Sequence, residues 1–183
     1  MKQNRYALLA LNIAIFTIGS FLVKLLSFLL MPLYTSVLTT EQYGISELLN
    51  SSVEIILPIA TLCIVDALYR FSIDKSINKK SLFTNSLIIV AIGDIVVTLV
   101  CIALKLFADY TYGLEFCILY IAISFYKLTT QFARGLGHTK RFAFYGVINA
   151  LLHVTSNFIL LVVFKGGVKE YLISFSIAYA VSG

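Results

Sequence analysis

The stretch GSFLVKLLSFLLMPLYTSVLTTEQYG, residues 19–44, decides the fold. Lys24 is the single charge in a run from Tyr6 to Leu38, so the run reads as one long membrane-spanning helix with an ammonium near its middle. A charge at mid-membrane costs about 2.5–3.5 kcal/mol on insertion scales, so it is expected to face a protein interior or a wet cavity and to have a partner.

Working outward, the whole chain has the composition of a membrane protein. Hydrophobic residues make up 60% and charged residues 13%, and the mean hydropathy is +0.94. Soluble domains carry about 25% charged residues. No Pro/Gly/Ser-rich linker or long polar segment is present that could hold chemistry outside the bilayer. The net charge of +5 comes from basic residues in short loops between apolar runs, which speaks for membrane topology and against nucleic-acid binding. Cys63, Cys101 and Cys117 lie in apolar runs without C-x-x-C spacing, so they read as packing residues rather than a disulfide or zinc framework. The N-terminal apolar run is too long for a signal peptide and lacks an A-x-A-like exit, so it is expected to be a retained first span.

Apolar segments fall at 6–38, 42–70, 81–107, 115–134, 141–164 and 171–183, which predicts an all-α polytopic protein of about six transmembrane helices. The last segment is short for a span, so residues 1–183 are expected to be an N-terminal transmembrane lobe with its sixth helix truncated. Lys2, Arg5, Arg70, Lys75, Lys79, Lys80, Arg134, Lys140 and Arg141 fall on one side of these spans, and Lys105, Lys165 and Lys169 on the other. The positive-inside rule then places the N-terminus in the cytoplasm.

Helical periodicity locates polar faces. In the first span Thr17, Ser20, Lys24 and Ser27 share one face, opposite Asn12 and Gly19. In the second, Glu47, Asn50, Ser51, Glu54, Pro58 and Thr61 form one stripe that a lipid-facing surface would reject. Asp94 aligns with Thr98 and Cys101 in the third, and Tyr145, Gly146, Asn149, His153, Ser156 and Asn157 share a sector of the fifth. Lys24, Glu54, Asp94 and His153 come out near the middle of their helices. Membrane transporters build substrate and coupling-ion sites at that depth. Lys24, Glu54, Ser20, Ser27 and Asn50 are therefore the candidate substrate-cavity residues, with Glu54 the expected ion-pair partner of Lys24.

Glu47, Asp94, His153, Lys127, Asp66 and Arg70 are the coupling or gate candidates. Lys127 reads equally as a snorkelling lysine or a gate. His153 reads as a proton carrier or as a hydrogen-bonded polar spot between Asn149 and Asn157. Asp66 and Arg70 have the i,i+4 spacing of an ion pair, which suits a structural clasp or a gate. Pro32 and Pro58 can kink their helices, as hinges or as packing features. The Gly135–Lys140 stretch lacks Walker A spacing and no strand precedes it, so it reads as a tight cytoplasmic turn.

The segments KLLSFLLMPLYTSVLTTEQYGISELLNS (24–51), TLCIVDALYRF (61–71) and ARGLGHTKRFAFYGVINALLHVTSNFILLVVFKGGVKEYLISFSIA (133–178) together resemble the N-terminal half of polysaccharide-transporter flippases. These are the O-antigen and capsule-repeat exporters of the multidrug/oligosaccharidyl-lipid/polysaccharide exporter superfamily. The most specific parts are Pro32-Leu33-Tyr34-Thr35 leading to Glu41-Gln42-Tyr43-Gly44, the Asp66-x-x-x-Arg70-Phe71 ending, and Arg134-Gly135-x-Gly137 with Lys140. The resemblance implies two six-helix lobes around a cavity that opens alternately to either side of the bacterial cytoplasmic membrane. The implied cargo is an undecaprenyl-pyrophosphate-linked oligosaccharide, moved in many members by an ion gradient. Lys24 fits the cationic cavity that such proteins offer the pyrophosphate, whereas Glu47, Glu54 and Asp94 receive no role from the resemblance. Implied partners are the lipid-linked oligosaccharide, membrane lipids, the remainder of the chain as second lobe, and other polysaccharide-assembly proteins; no cofactor, metal or nucleic acid is expected. A drug/cation antiporter of the same superfamily is the alternative within transport. A membrane-embedded glycan transferase or polymerase is the alternative outside it, and it has little to work with, because Asp74 is the only acid in the predicted cytoplasmic loops.

Overall fold

A computed structural model describes residues 13–14, 17–18, 21, 24–25, 28, 30–108 and 111–183. Ser20 and Ser27 lie outside the described residues, as do Asn12 and Gly19. The described elements are all helical. Residues 30–37 are helical and lead into α1 (Thr40–Ala60). Then follow α2 (Ile64–Ile73), α3 (Lys79–Ala108), α4 (Gly113–Gly135), α5 (Thr139–Asn157), which continues as a π-helical turn over Phe158–Val163, and α6 (Val168–Ser182).

The Thr-Thr-Glu-Gln segment is a helix start. The Thr39 hydroxyl accepts from the Gln42 backbone N–H at 3.2 Å, and the Gln42 side chain accepts from the Thr39 N–H at 3.0 Å. This reciprocal capping satisfies two amide donors that the first turn leaves without partners. Glu41 in the same turn complements the positive end of the helix dipole.

The segment expected as one helix over 42–70 is broken. Axes α1 and α2 differ by 65°. Pro58 has no N–H to donate to the carbonyl one turn earlier, and the Thr61 hydroxyl takes the Leu57 carbonyl at 2.7 Å. Leu62 and Cys63 then turn left-handed, with φ of 51° and 55°, and the Cys63 N–H closes back on the Pro58 carbonyl at 2.8 Å. Gly93 of α3 fits against this corner: a Cβ there would stand 2.7 Å from the Ala60 carbonyl oxygen.

Among the described residues three helical segments are long and apolar enough to cross a membrane, Lys79–Phe107, Gly113–Gly135 and Lys140–Val163, and the bent α1/α2 pair makes a fourth candidate. The full set of six expected spans is not seen among the described residues, because the first is described only in part, the second is bent and α6 has 15 residues.

α4 is the hub, packing against α1, α2, α3, α5 and α6. Its composition suits that place. Its apolar window has a hydropathy of 1.3 and is 50% buried, against 2.9 and 22% for α3. A helix surrounded by protein can use Ser124, Thr130 and Gly135 as close-packing residues, all of them buried. α3 instead shows Ile88, Ile92, Ile95, Val96 and Leu99 outward, the face that lipid would cover. At Gly135 the approach to α2 is so close that a Cβ would meet the Ser72 Cβ at 2.4 Å.

The turns at the predicted cytoplasmic end are ordered by local polar contacts. Asp74 accepts from the Ser76 N–H at 2.9 Å and its hydroxyl at 2.8 Å, which holds its carboxyl below the usual range. Lys79 Nζ donates to the Asp74 carbonyl, and the Asn78 side chain caps α3 through the Lys80 and Ser81 amides. Gly137 supplies the positive φ of 80° that the α4–α5 turn needs. Arg134 lies over the Tyr69 ring, 4.6 Å from its centroid.

Candidate functional site

The polar stripe of α1 faces two separate cavities. Glu47 and Asn50 line the first, of about 450 Å³, where α1 meets Phe28, Leu30, Met31 and Tyr34, α5 and α6. Seven residues on, Glu54 lines the second, of about 240 Å³, together with Pro58, Thr61, Asp66, Lys127 and Gln131. Ser51, between them on the stripe, is exposed.

The first cavity is walled by aromatic rings. The Tyr171 hydroxyl donates to Glu47 Oε1 at 2.6 Å. Tyr34 meets the Tyr171 ring edge-on with centroids 5.1 Å apart and stacks on Tyr43 at 6.0 Å. Tyr171 in turn stacks on Phe175 at 4.5 Å. His153 of α5 sits edge-on to Phe175 at 4.1 Å and to Tyr179 at 5.1 Å. Its Nε2 is buried without a hydrogen-bond partner among the described residues. The two neighbouring asparagines are engaged elsewhere. Asn149 donates to the Ser182 hydroxyl at 2.8 Å, while Asn157 donates to the His153 carbonyl at 2.7 Å and accepts from the Ser174 hydroxyl at 2.8 Å. Among the described residues the His153 ring makes no hydrogen bond with either asparagine and packs against aromatic rings.

In the second cavity Lys127 Nζ and Glu54 Oε2 form an ion pair at 2.5 Å, with the two side chains 31% and 56% exposed. Gln131, one turn along α4, has its Oε1 buried and without a partner among the described residues. Thr61 at the helix break completes the rim.

Asp94 belongs to neither cavity. It lies between α3 and α4, where the Ser124 hydroxyl donates to Oδ2 at 3.0 Å. Oδ1 and the nearby Tyr120 hydroxyl are both buried without partners among the described residues. Thr98 is on the same face but spends its hydroxyl on the Asp94 backbone carbonyl at 2.7 Å.

Several expectations change against this geometry. Glu54 pairs with Lys127, not Lys24, because α1 packs on the hub helix α4 and brings Lys127 within reach. Lys24 is exposed, lines neither cavity and forms no ion pair among the described residues. Lys127 is thus neither a free snorkelling lysine nor remote from the polar stripe. Asp66 and Arg70 form no ion pair although their spacing permits one. Both are exposed, where such a pair gains only about 0–1 kcal/mol and must hold two long side chains in place. Asp66 lines the second cavity instead. Lys24, Glu54, Asp94 and His153, expected as one mid-helix set, are distributed over four places.

The tyrosines were missed. Tyr171, Phe175 and Tyr179 recur every four residues, one face of α6, and that spacing was legible as an aromatic stripe. Which helix it would face was not. Among the described residues no group of three His, Cys, Asp or Glu side chains could hold a metal ion.

A helical bundle with several membrane-length segments and polar cavities inside it defines a multi-span integral membrane protein. The chain belongs to the polysaccharide biosynthesis protein family, whose model matches residues 9–183. No curated protein and no solved structure matches it significantly.

Proposed function

We propose that the chain forms the N-terminal lobe of a flippase that carries undecaprenyl-pyrophosphate-linked oligosaccharide repeats across the bacterial cytoplasmic membrane by alternating access, and that it performs transport rather than catalysis. The family points to polysaccharide synthesis or export. The observation that carries the transport reading is the Lys127–Glu54 pair, half-exposed at a polar cavity beside a bent helix. A carrier needs a charged group that holds its cargo and then lets it go.

Two unit charges about 4 Å apart attract by about 4 kcal/mol at an effective dielectric near 20. That attraction holds the pair together, yet a pyrophosphate with its higher charge can displace the Glu54 carboxylate from Lys127. Return of Glu54 to the ammonium would then assist release. The nine-to-three basic asymmetry supports a cytoplasmic N-terminus. The remainder of the polypeptide would provide the second lobe, and other polysaccharide-assembly proteins would receive the cargo.

The test is glycan export in a strain lacking the full-length protein, complemented with wild type, Lys127→Ala, Lys127→Arg, or Lys127→Met with Glu54→Leu. Wild type should restore surface glycan, and Lys127→Arg should restore part of it because the charge persists. Lys127→Ala and the double variant should not, at equal membrane abundance. Full export by the apolar double variant would remove the pair from the substrate path.

A further inference from the structure

The acids near the helical core are compensated unequally. Glu54 has Lys127 at 2.5 Å, and Glu115 has Lys169 at 3.3 Å. Asp94 accepts from Ser124 and is enclosed between two helices, away from any cavity described above. Glu47 alone of these four lines a large cavity with no cation of its own. No Lys or Arg is among the described residues that wall it, and among the described residues a single hydrogen bond reaches its carboxylate, from Tyr171.

The walls around that carboxylate are ring faces and edges. Tyr43, Tyr34, Tyr171 and Phe175 form a continuous aromatic series, with 6.0, 5.1 and 4.5 Å between successive centroids. Aromatic faces carry a negative quadrupole, which attracts a cation and repels an anion. A carboxylate beside such faces adds to the same preference. A pyrophosphate would therefore be rejected here, whereas an organic cation would find both partners it needs. The volume of about 450 Å³ lies in the range of small-molecule sites.

We propose that this cavity is a binding site for an organic ammonium group, held by Glu47 and the Tyr43 ring, with Tyr34 stacked on Tyr43 and Tyr171 hydrogen-bonded to Glu47. The cation has two sources of the same chemistry. It is the free amine of an amino sugar in the glycan, which rests on the flippase reading, or it is a free organic cation, which does not. In the first case the lobe holds its cargo at two points, with the sugar amine at Glu47 and the phosphate at Lys127.

The experiment is calorimetric titration of the purified full-length protein in detergent with methyl glucosaminide, its N-acetyl derivative, methyl glucoside and tetraethylammonium. The free amine should bind about tenfold or more tightly than the N-acetyl and hydroxyl forms. Glu47→Gln should erase that preference, and Tyr171→Phe, which keeps the ring stack, should reduce it by about three- to tenfold. Size-exclusion profiles and melting temperatures identify a variant that merely fails to fold, and Tyr171→Phe retains the test if Glu47→Gln does so. Tetraethylammonium binding that depends on Glu47 without an amino-sugar preference supports the ammonium site and assigns it to free cations, against the flippase reading. Equal affinity for charged and neutral sugars with no tetraethylammonium binding overturns the site, while the export assay on Lys127 still stands or falls alone.

Discussion

Glu47 and Glu54 stand seven residues apart on one face of one helix, and the protein treats them differently. Glu47 has a tyrosine hydroxyl and a wall of rings; Glu54 has an ammonium. The first setting is built by intact faces of α1 and α6, the second by a corner where α1 stops and α4 passes. The contrast shows that a shared helical stripe fixes only the direction in which side chains leave the helix. What they meet is decided by the neighbours.

The largest expected effect separates the two directly. Lys127→Ala should lower glycan export by at least about tenfold while Glu54 loses its cation. The loss in thermal stability should be only about 0–1 kcal/mol, since the side chains are 31% and 56% exposed and such pairs are screened by solvent. Export and melting temperature measured on the same preparation check this. A fall in both together would make the pair a structural lock, and the contrast with Glu47 would lose its functional meaning.

Gly135→Ala acts on the α2–α4 packing without touching the aromatic cavity. Its Cβ would meet Ser72 Cβ at 2.4 Å and the Tyr69 carbonyl oxygen at 2.9 Å, so α2 and α4 must separate. A cost of about 1–3 kcal/mol is expected from overpacking of this kind. The melting temperature in detergent should fall accordingly, with the Glu47 site still able to bind. Tyr171→Phe makes the converse change. It removes the 2.6 Å hydrogen bond to Glu47, at a cost of about 1.5–3 kcal/mol or less where water can replace the hydroxyl, and should leave export dependent on Lys127.

Some of this contrast was legible in the sequence. Glu47, Asn50, Glu54, Pro58 and Thr61 of the polar stripe line cavities, while Ser51 is exposed, and the cap at Thr39 follows from Thr-Thr-Glu-Gln. His153 and Asn149 likewise reach the first cavity from the polar sector of α5. The pairing of Glu54 was not legible. Matching depth along two helices says nothing of which helices are adjacent, and the adjacency here comes from α4, whose lower hydropathy marks it as the central helix only once the others are compared with it. Asp66 and Arg70 show the reverse error, a local spacing that permits a pair which exposed side chains gain little by making.

The break itself offers the smallest test. Pro58 announced a kink, but a proline alone bends a helix and lets it continue. Here the chain instead passes through two left-handed residues, Leu62 and Cys63, neither of which is glycine. Left-handed backbone costs a residue with a Cβ about 1–2 kcal/mol, so the corner is held by its surroundings: the Cys63 N–H bond to Pro58, the Thr61 bond to Leu57, and Gly93 pressed against Ala60. Cys63→Gly removes the steric cost without removing those contacts, and Cys63 is exposed, so little packing is lost. Glycine also gains freedom in the unfolded chain, which offsets part of the gain. The net expectation is a stabilisation of about 0.5–1 kcal/mol, read as a higher melting temperature, with the Lys127–Glu54 geometry intact. If glycine instead lowers both stability and export, the left-handed turn is maintained by the cysteine side chain, and the corner is a more specific device than the backbone contacts alone account for.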